Sequence, residues 1–179
     1  MEFTKNDKLD IFENAISWIV VLAMFIYGGA KLFQFDGATE IDKTVSELSG
    51  MELMWAFYGY SKSFAITLGV FEILGGLLIL FKKTRLIGCV FTSTILVNII
   101  LQDIFYGVNE GALRAAILYQ VLLLVILWLH KDRILNSLKA LLIQEKLKQP
   151  TTKILIKLCI AFASFVVFRF LEYYITIKW

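Results

Sequence analysis

Glu72 is the residue whose chemistry most needs a reason. It sits in Gly69–Arg85, GVFEILGGLLILFKKTR, an apolar run closed by Lys82, Lys83 and Arg85. A carboxylate at the centre of a membrane helix costs about 3 kcal/mol even on a lenient insertion scale, so it requires a partner, a proton or a water-filled cavity. Such a group can pair with a cation, carry protons or hold the polar end of a lipophilic molecule. Asn98 and Gln120 stand in the next two apolar segments. At 1.5 Å per residue all three lie roughly 12–14 Å from the same membrane face. Three polar groups at one depth are either interhelical hydrogen-bond glue, worth about 0.6 kcal/mol each, or a ligand or proton site. The spacing leaves both readings open.

Further polar residues cluster near the same face. Thr94, Asn98 and Gln102 recur at i+4 as a stripe on an otherwise apolar helix, and Asp103 follows directly. Lys31, Arg114 and Arg169 are the cations available to hold Glu72 as a carboxylate. Lys31 shares a helix face with Gly28, so it points either into a bundle or, by snorkelling, to the nearby headgroups. Arg169 has Glu172 three residues on as a local partner, with Glu72 or Asp103 as the distant alternative. His130, the one histidine, stands in LHKDR at the basic side and reads as interfacial. Cys89 and Cys159 each lie inside an apolar segment with no C-x-x-C or Cys/His cluster, which favours packing over redox or zinc chemistry. No metal site and no evident cofactor follow from these residues.

The elements that must position these groups are helices in a membrane. Of 179 residues 59% are hydrophobic and one is proline, where soluble domains sit nearer 45–50% apolar. Spanning needs about 20 residues of helix. The runs that qualify are Ala15–Phe35, Ser63–Phe81, Leu86–Tyr106, Ala112–His130 and Lys153–Ile175. The first is too long for the apolar core of a cleaved leader and reads as a span. On the second, Ala65, Gly69, Glu72 and Gly76 share one face with Gly75 beside it. Such small residues let helices approach closely in lipid, so Glu72 faces a neighbouring helix. Gly28 and Gly29 have the same packing role on the first.

Between the first two spans lies an acidic connection, Asp36–Lys62. Its TVSE at Thr44–Glu47 and SGME at Ser49–Glu52 have capping-box spacing. The second predicts a short surface helix whose aromatics form an interfacial belt, with a recognition lid as the alternative. Residues 134–149, ILNSLKALLIQEKLKQ, predict an interfacial amphipathic helix ended by Pro150.

With the N-terminus inside, the inner flanks hold Lys5, Lys8, Lys82, Lys83, Arg85, Lys131, Arg133, Lys139, Lys146, Lys148 and Lys153. The outer flanks hold only Lys43, Lys62, Arg114 and Lys178. This bias predicts a cytoplasmic N-terminus and a C-terminus outside. The polar cluster then lies in the outer half, and any cavity it lines opens outward. A net charge of +3, spread over span ends, gives no reason to expect nucleic acid as a partner.

On these residues the chain resembles the DoxX-like family of small membrane proteins. The resemblance rests on YGGAKL (Tyr27–Leu32), FEILGGLLILFKKTR (Phe71–Arg85), Gly88, Asn98 and the close of the fourth span at His130-Lys131-Asp132. It covers Ala15–Arg133. It implies an antiparallel four-helix bundle over residues 1–133, to which residues 134–149 add the amphipathic helix and 150–179 a fifth transmembrane helix. It also implies a bacterial inner membrane. Members are similar to subunits of a thiosulfate:quinone oxidoreductase, to MauE-type proteins that support disulfide formation, or to assembly partners of exported proteins. The paired cysteines of the MauE type are not present here.

Three functions follow as expectations. The first is a non-enzymatic binding or accessory subunit. Its outward-facing pocket of Lys31, Glu72, Asn98, Gln102, Asp103, Arg114, Gln120 and Arg169 would take a lipophilic ligand or a segment of a membrane or periplasmic partner. The second is a quinone-linked redox subunit, with Glu72 moving protons. The third is a small transporter, for which no inverted repeat is visible.

Overall fold

A computed structural model of the chain describes residues 2–142 and 150–177. Among these residues the secondary structure is all helical. The α-helices are α1 (Lys5–Ala30), α2 (Gly50–Tyr60), α3 (Lys62–Leu80), α4 (Arg85–Tyr106), α5 (Glu110–Leu129), α6 (Lys131–Leu142) and α7 (Thr151–Ile177). Five of them, α1, α3, α4, α5 and α7, are long and apolar enough to cross a membrane.

The helix ends follow local chemistry. α1 begins ten residues before the expected span, because Thr4 and Asp7 form a reciprocal capping box. It also stops five residues earlier than expected. After Gly28-Gly29 the chain tightens into turns, with Phe33 N–H and Gln34 N–H both donating to the Ala30 carbonyl. Lys31 is therefore the cap of α1 and not an interior residue. Both expected capping boxes form: Thr44/Glu47 opens a 3-10 turn, and Ser49/Glu52 opens α2. α4 ends at Gly107, whose φ of 59° is the left-handed conformation that glycine adopts without penalty. Asn109 then caps α5 through its side-chain oxygen.

The chain divides into two compact units, Met1–Asn136 and Ser137–Trp179. In the first, α1 packs on α3, α3 on α4, α4 on α5, and α5 back on α1, so four helices close a ring. Its core is Val20, Met24, Ile79, Cys89, Leu96, Leu123 and Ile126. The outer faces are as apolar as the core. Trp18, Leu22 and Ile26 on α1, and Val97, Leu101 and Ile104 on α4, are all large and exposed. Soluble monomers seldom expose contiguous apolar patches beyond a few hundred Å²; lipid is the solvent that suits these faces. Close packing in lipid depends on small residues. A Cβ on Gly75 would run into Thr92, and one on Gly88 would lie 2.6 Å from the backbone nitrogen of Ile79. Gly29 differs from the packing role expected of it, because a Cβ there would meet nothing within 4 Å.

α6 starts three residues before the expected interfacial helix, and its leucines Leu135, Leu138, Leu141 and Leu142 are exposed. The remainder of that expected helix, residues 143–149, lies outside the described residues. In the second unit α7 is an apolar helix of 27 residues.

Candidate functional site

The site begins where α1 crosses α3. A Cβ on Gly28 would lie 2.6 Å from the Gly69 carbonyl oxygen, and one on Gly69 would run into the Gly28 carbonyl. Backbones this close can be met only by glycine. Lys31 is three residues beyond Gly28, and Glu72 is three beyond Gly69. In an antiparallel pair these steps lead in opposite directions along the bundle. Helical side chains, however, lean toward their own N-terminus. Each side chain therefore leans back to the level of the crossing, and Lys31 Nζ comes within 3.4 Å of Glu72 Oε1. Lys31 also donates to Gln34 Oε1 at 2.8 Å. Glu72 is 2% exposed, and its Oε2 is buried without a hydrogen-bond partner.

These groups line a cavity of about 600 Å³, within the range of small-molecule sites, about 300–1,000 Å³. The floor and sides are Met24, Tyr27, Leu68, Leu96, Ala116 and Tyr119, and α2 covers it with Met54, Phe57 and Tyr58. Polar groups converge from α3, α4 and the cap and turn after α1: Lys31, Gln34, Glu72, Asn98, Gln102 and Asp103. Asp103 is 6% exposed, and its Oδ2 is also buried without a partner. The lining residues left exposed are Tyr27 on α1, Phe57 on α2, Phe64 and Phe71 on α3, and Thr94 and Asn98 on α4. Five of the six stand on α2, α3 and α4, so the lining is exposed chiefly on that flank.

α2 is held over the cavity by specific contacts. Tyr58 donates from its hydroxyl to Gln102 Oε1 at 2.8 Å, and Gln102 Nε2 donates to Asn98 Oδ1 at 2.5 Å. Burial pushes the Tyr58 hydroxyl above its usual range, which keeps it a neutral donor. Phe35 stacks on Tyr58 and meets Trp55 edge-on, with ring centroids 5.1 and 5.8 Å apart. Met54, Phe57 and Tyr58 therefore face the cavity, where the sequence favoured a headgroup belt. A stretch rich in aromatics does not reveal which way a short helix will turn them.

The structure brings together five of the eight residues expected in the polar cluster: Lys31, Glu72, Asn98, Gln102 and Asp103. Gln120 and Arg114, in the same unit, do not line the cavity. Gln120 donates to Ser93 Oγ at 3.2 Å, a link between α5 and α4. α5 turns Tyr119 to the cavity, and one residue further is about 100° around the helix. Depth fixed by counting does not fix azimuth. Arg114 is 79% exposed and pairs with Glu110 one turn back. Arg169 pairs with Glu172 on α7.

A second buried polar network lies at the opposite end of the ring, where the sequence showed only a basic turn. Arg85 is 2% exposed. It donates to Glu13 Oε1 at 2.8 Å, Asn14 Oδ1 at 2.9 Å and the Ile79 carbonyl at 3.1 Å. Glu13 Oε2 lies 3.0 Å from His130 Nε2. This ties α1, α3, α4 and the end of α5 together. Lys82 behaves as expected of a surface residue, pairing with Asp10 in solvent. The available signal for Arg85 was the Glu13-Asn14 pair just ahead of the first apolar run.

Five apolar helices and a cavity sunk among four of them define a multi-pass membrane protein with an internal, part-polar pocket. Residues 9–112 match the family model described as methylamine utilisation protein MauE, and the chain belongs to that family. It is 32% identical over 115 residues to the uncharacterised protein YwoB of Bacillus subtilis (strain 168), which covers 63% of this chain and 72% of that protein. No solved structure matches. The MauE match replaces the expected DoxX-like membership. The motifs behind that expectation were small residues at a helix crossing, one buried carboxylate and a basic turn. Small residues and a basic turn serve packing and orientation in any compact helical membrane protein, and a single intramembrane carboxylate is not the mark of one family, so these motifs do not separate families. The quinone-linked reading loses the family support it rested on. Cys89 is a free thiol buried in the core and Cys159 a free thiol exposed on α7; packing accounts for the first only.

Proposed function

We propose that this protein is an accessory subunit of the bacterial cytoplasmic membrane whose cavity holds a lipophilic small molecule. The observation that carries the reading is the composition of the cavity wall. Aromatic and aliphatic side chains enclose most of it, while Lys31, Glu72 and Asp103 converge on one side. A membrane helix bears such costly groups only for use or for pairing, and the Lys31–Glu72 contact leaves Glu72 Oε2 and Asp103 Oδ2 unused. Access from the flank lets a molecule dissolved in the bilayer reach the pocket without crossing water.

The Lys/Arg bias supports a cytoplasmic N-terminus, with the cavity in the outer half of the membrane. The five-residue polar cluster is the ligand-contacting part of the site. The family's name supports a role beside a partner protein in an amine-using system, with residues 150–179 as the added segment that contacts the partner.

The test is extraction and mass spectrometry of small molecules from protein purified in lipid nanodiscs. The comparison is Ala116→Phe, which fills the cavity from α5, where Ala116 is 5% exposed. A molecule present at about one per chain in the wild type and lost in the variant is the expected result. Identical extracts would overturn the reading. A stoichiometric partner segment in place of a small molecule would reassign the occupant.

A further inference from the structure

We infer that the cavity selects a cationic amphiphile, an ammonium group carried on an apolar chain. This rests on the reading of the cavity as a ligand site and names the chemistry it would recognise.

The argument is a count of donors and acceptors. The ionisable side chains lining the cavity, tyrosines aside, are one cation, Lys31, and two carboxylates, Glu72 and Asp103. The Lys31 ammonium is already committed, to Gln34 Oε1 at 2.8 Å and Glu72 Oε1 at 3.4 Å, and it lies 5.8 Å from the centre of the Phe35 ring. On the α4 side Tyr58 donates to Gln102, and one N–H of Gln102 to Asn98. What remains buried without a donor is Glu72 Oε2 and Asp103 Oδ2. Both belong to residues more than nine-tenths buried, and both residues line the cavity. Two orphaned carboxylate oxygens in a wall with a formal charge of −1 ask for a positively charged donor. A buried acceptor left unsatisfied carries its full desolvation penalty, and hydrogen bonds to charged groups are the strong ones.

The rest of the wall fits the same ligand. The rings of Tyr27 and Tyr119 also line the cavity, and aromatic rings attract cations; Phe35 and Tyr58 are already stacked on one another, with Phe64 on the other side of Tyr58. The approach from the bilayer passes Phe64, Leu68 and Phe71, which suits an alkyl chain. A carboxylate headgroup would meet two like charges, and an alcohol would supply one neutral donor for two charged acceptors.

The experiment measures binding of dodecylamine, dodecanol and dodecanoate to the full chain in zwitterionic-lipid nanodiscs at neutral pH, by native mass spectrometry. Ala116→Phe serves as the filled-cavity reference, so that partition into the lipid cancels. The expected result is that dodecylamine binds wild type at least tenfold tighter than either analogue. Asp103→Asn should lose most of that preference while still binding dodecanol. Glu72→Gln should do the same if it folds, and Asp103→Asn keeps the test decisive if it does not. Equal binding of amine and alcohol would overturn the cationic assignment and leave the pocket reading standing. No difference between wild type and Ala116→Phe for any of the three would overturn the pocket reading itself.

Discussion

Lys31 and Glu72 meet at 3.4 Å because each stands one helical turn beyond a glycine at a single crossing of α1 and α3. The ion pair and the close backbone approach are thus one feature. Without Gly28 and Gly69 the helices would separate, and the lysine would have to reach across the gap to a buried carboxylate.

Removing the cation tests that relationship. Lys31→Met leaves Glu72 buried without its partner and should cost about 3 kcal/mol, the lower part of the range for a broken buried pair. Adding Glu72→Gln to Lys31→Met should recover a substantial part of the loss. Thermal or chemical denaturation of the two single variants and the double variant in one detergent gives the coupling directly. Additive losses would show that the two side chains do not interact.

The crossing makes a separate prediction about neighbouring glycines. Gly28→Ala puts a methyl group 2.6 Å from the Gly69 carbonyl oxygen and 2.7 Å from Ile73 Cγ1. It should destabilise by about 1–3 kcal/mol, as overpacking does. Gly29→Ala meets nothing within 4 Å and should be neutral or slightly stabilising. Equal effects at the two adjacent positions would contradict the observed packing.

At the other end of the ring, Arg85 and Lys82 should behave oppositely although they share one basic turn. Arg85→Met strands Glu13 and frees Asn14 and His130 from a shared network, for a loss of about 3 kcal/mol. Lys82→Met breaks only an exposed pair with Asp10 and should cost less than about 1 kcal/mol. Melting temperatures of the two variants decide it.

Acid should loosen the cover over the cavity at its capping box. The hydrogen bond from Lys43 to Glu52, followed by those from Ser49, holds the Glu52 carboxyl down at about 2, against an ordinary 4.5. A depressed carboxyl stabilises the folded form above its unfolded value. That contribution is whole above about pH 4.5 and disappears as the pH falls toward 2. The fluorescence of a variant retaining Trp55 as its only tryptophan should report movement of α2 across this window. Glu52→Gln should remove that pH dependence.

Tyr58→Phe isolates the hydrogen bond that joins α2 to α4. Loss of the contact with Gln102 should cost about 1 kcal/mol and speed the release of a bound amphiphile several-fold, read by stopped-flow dilution. Unchanged release would show that α2 does not retain the occupant.

The sequence by itself determined the five helices apolar enough to span a membrane and the small-residue face of α3. These depend on hydrophobic length, helical period and capping chemistry, all local properties. Glu72 with Ala65, Gly69 and Gly76 was legible because one 3.6-residue period puts them together, and all four are buried. Only the tertiary structure decided which cation answers Glu72, because three were available and their choice depends on the order and rotation of helices distant in the chain. Packing also set Gln120 against Ser93, five residues before Asn98 on α4, and it drew Arg85 inward while Lys82, three residues earlier, stayed in solvent. Family membership was not legible in the residues that suggested it. They answer to packing and orientation in lipid, which bind every protein of this architecture alike.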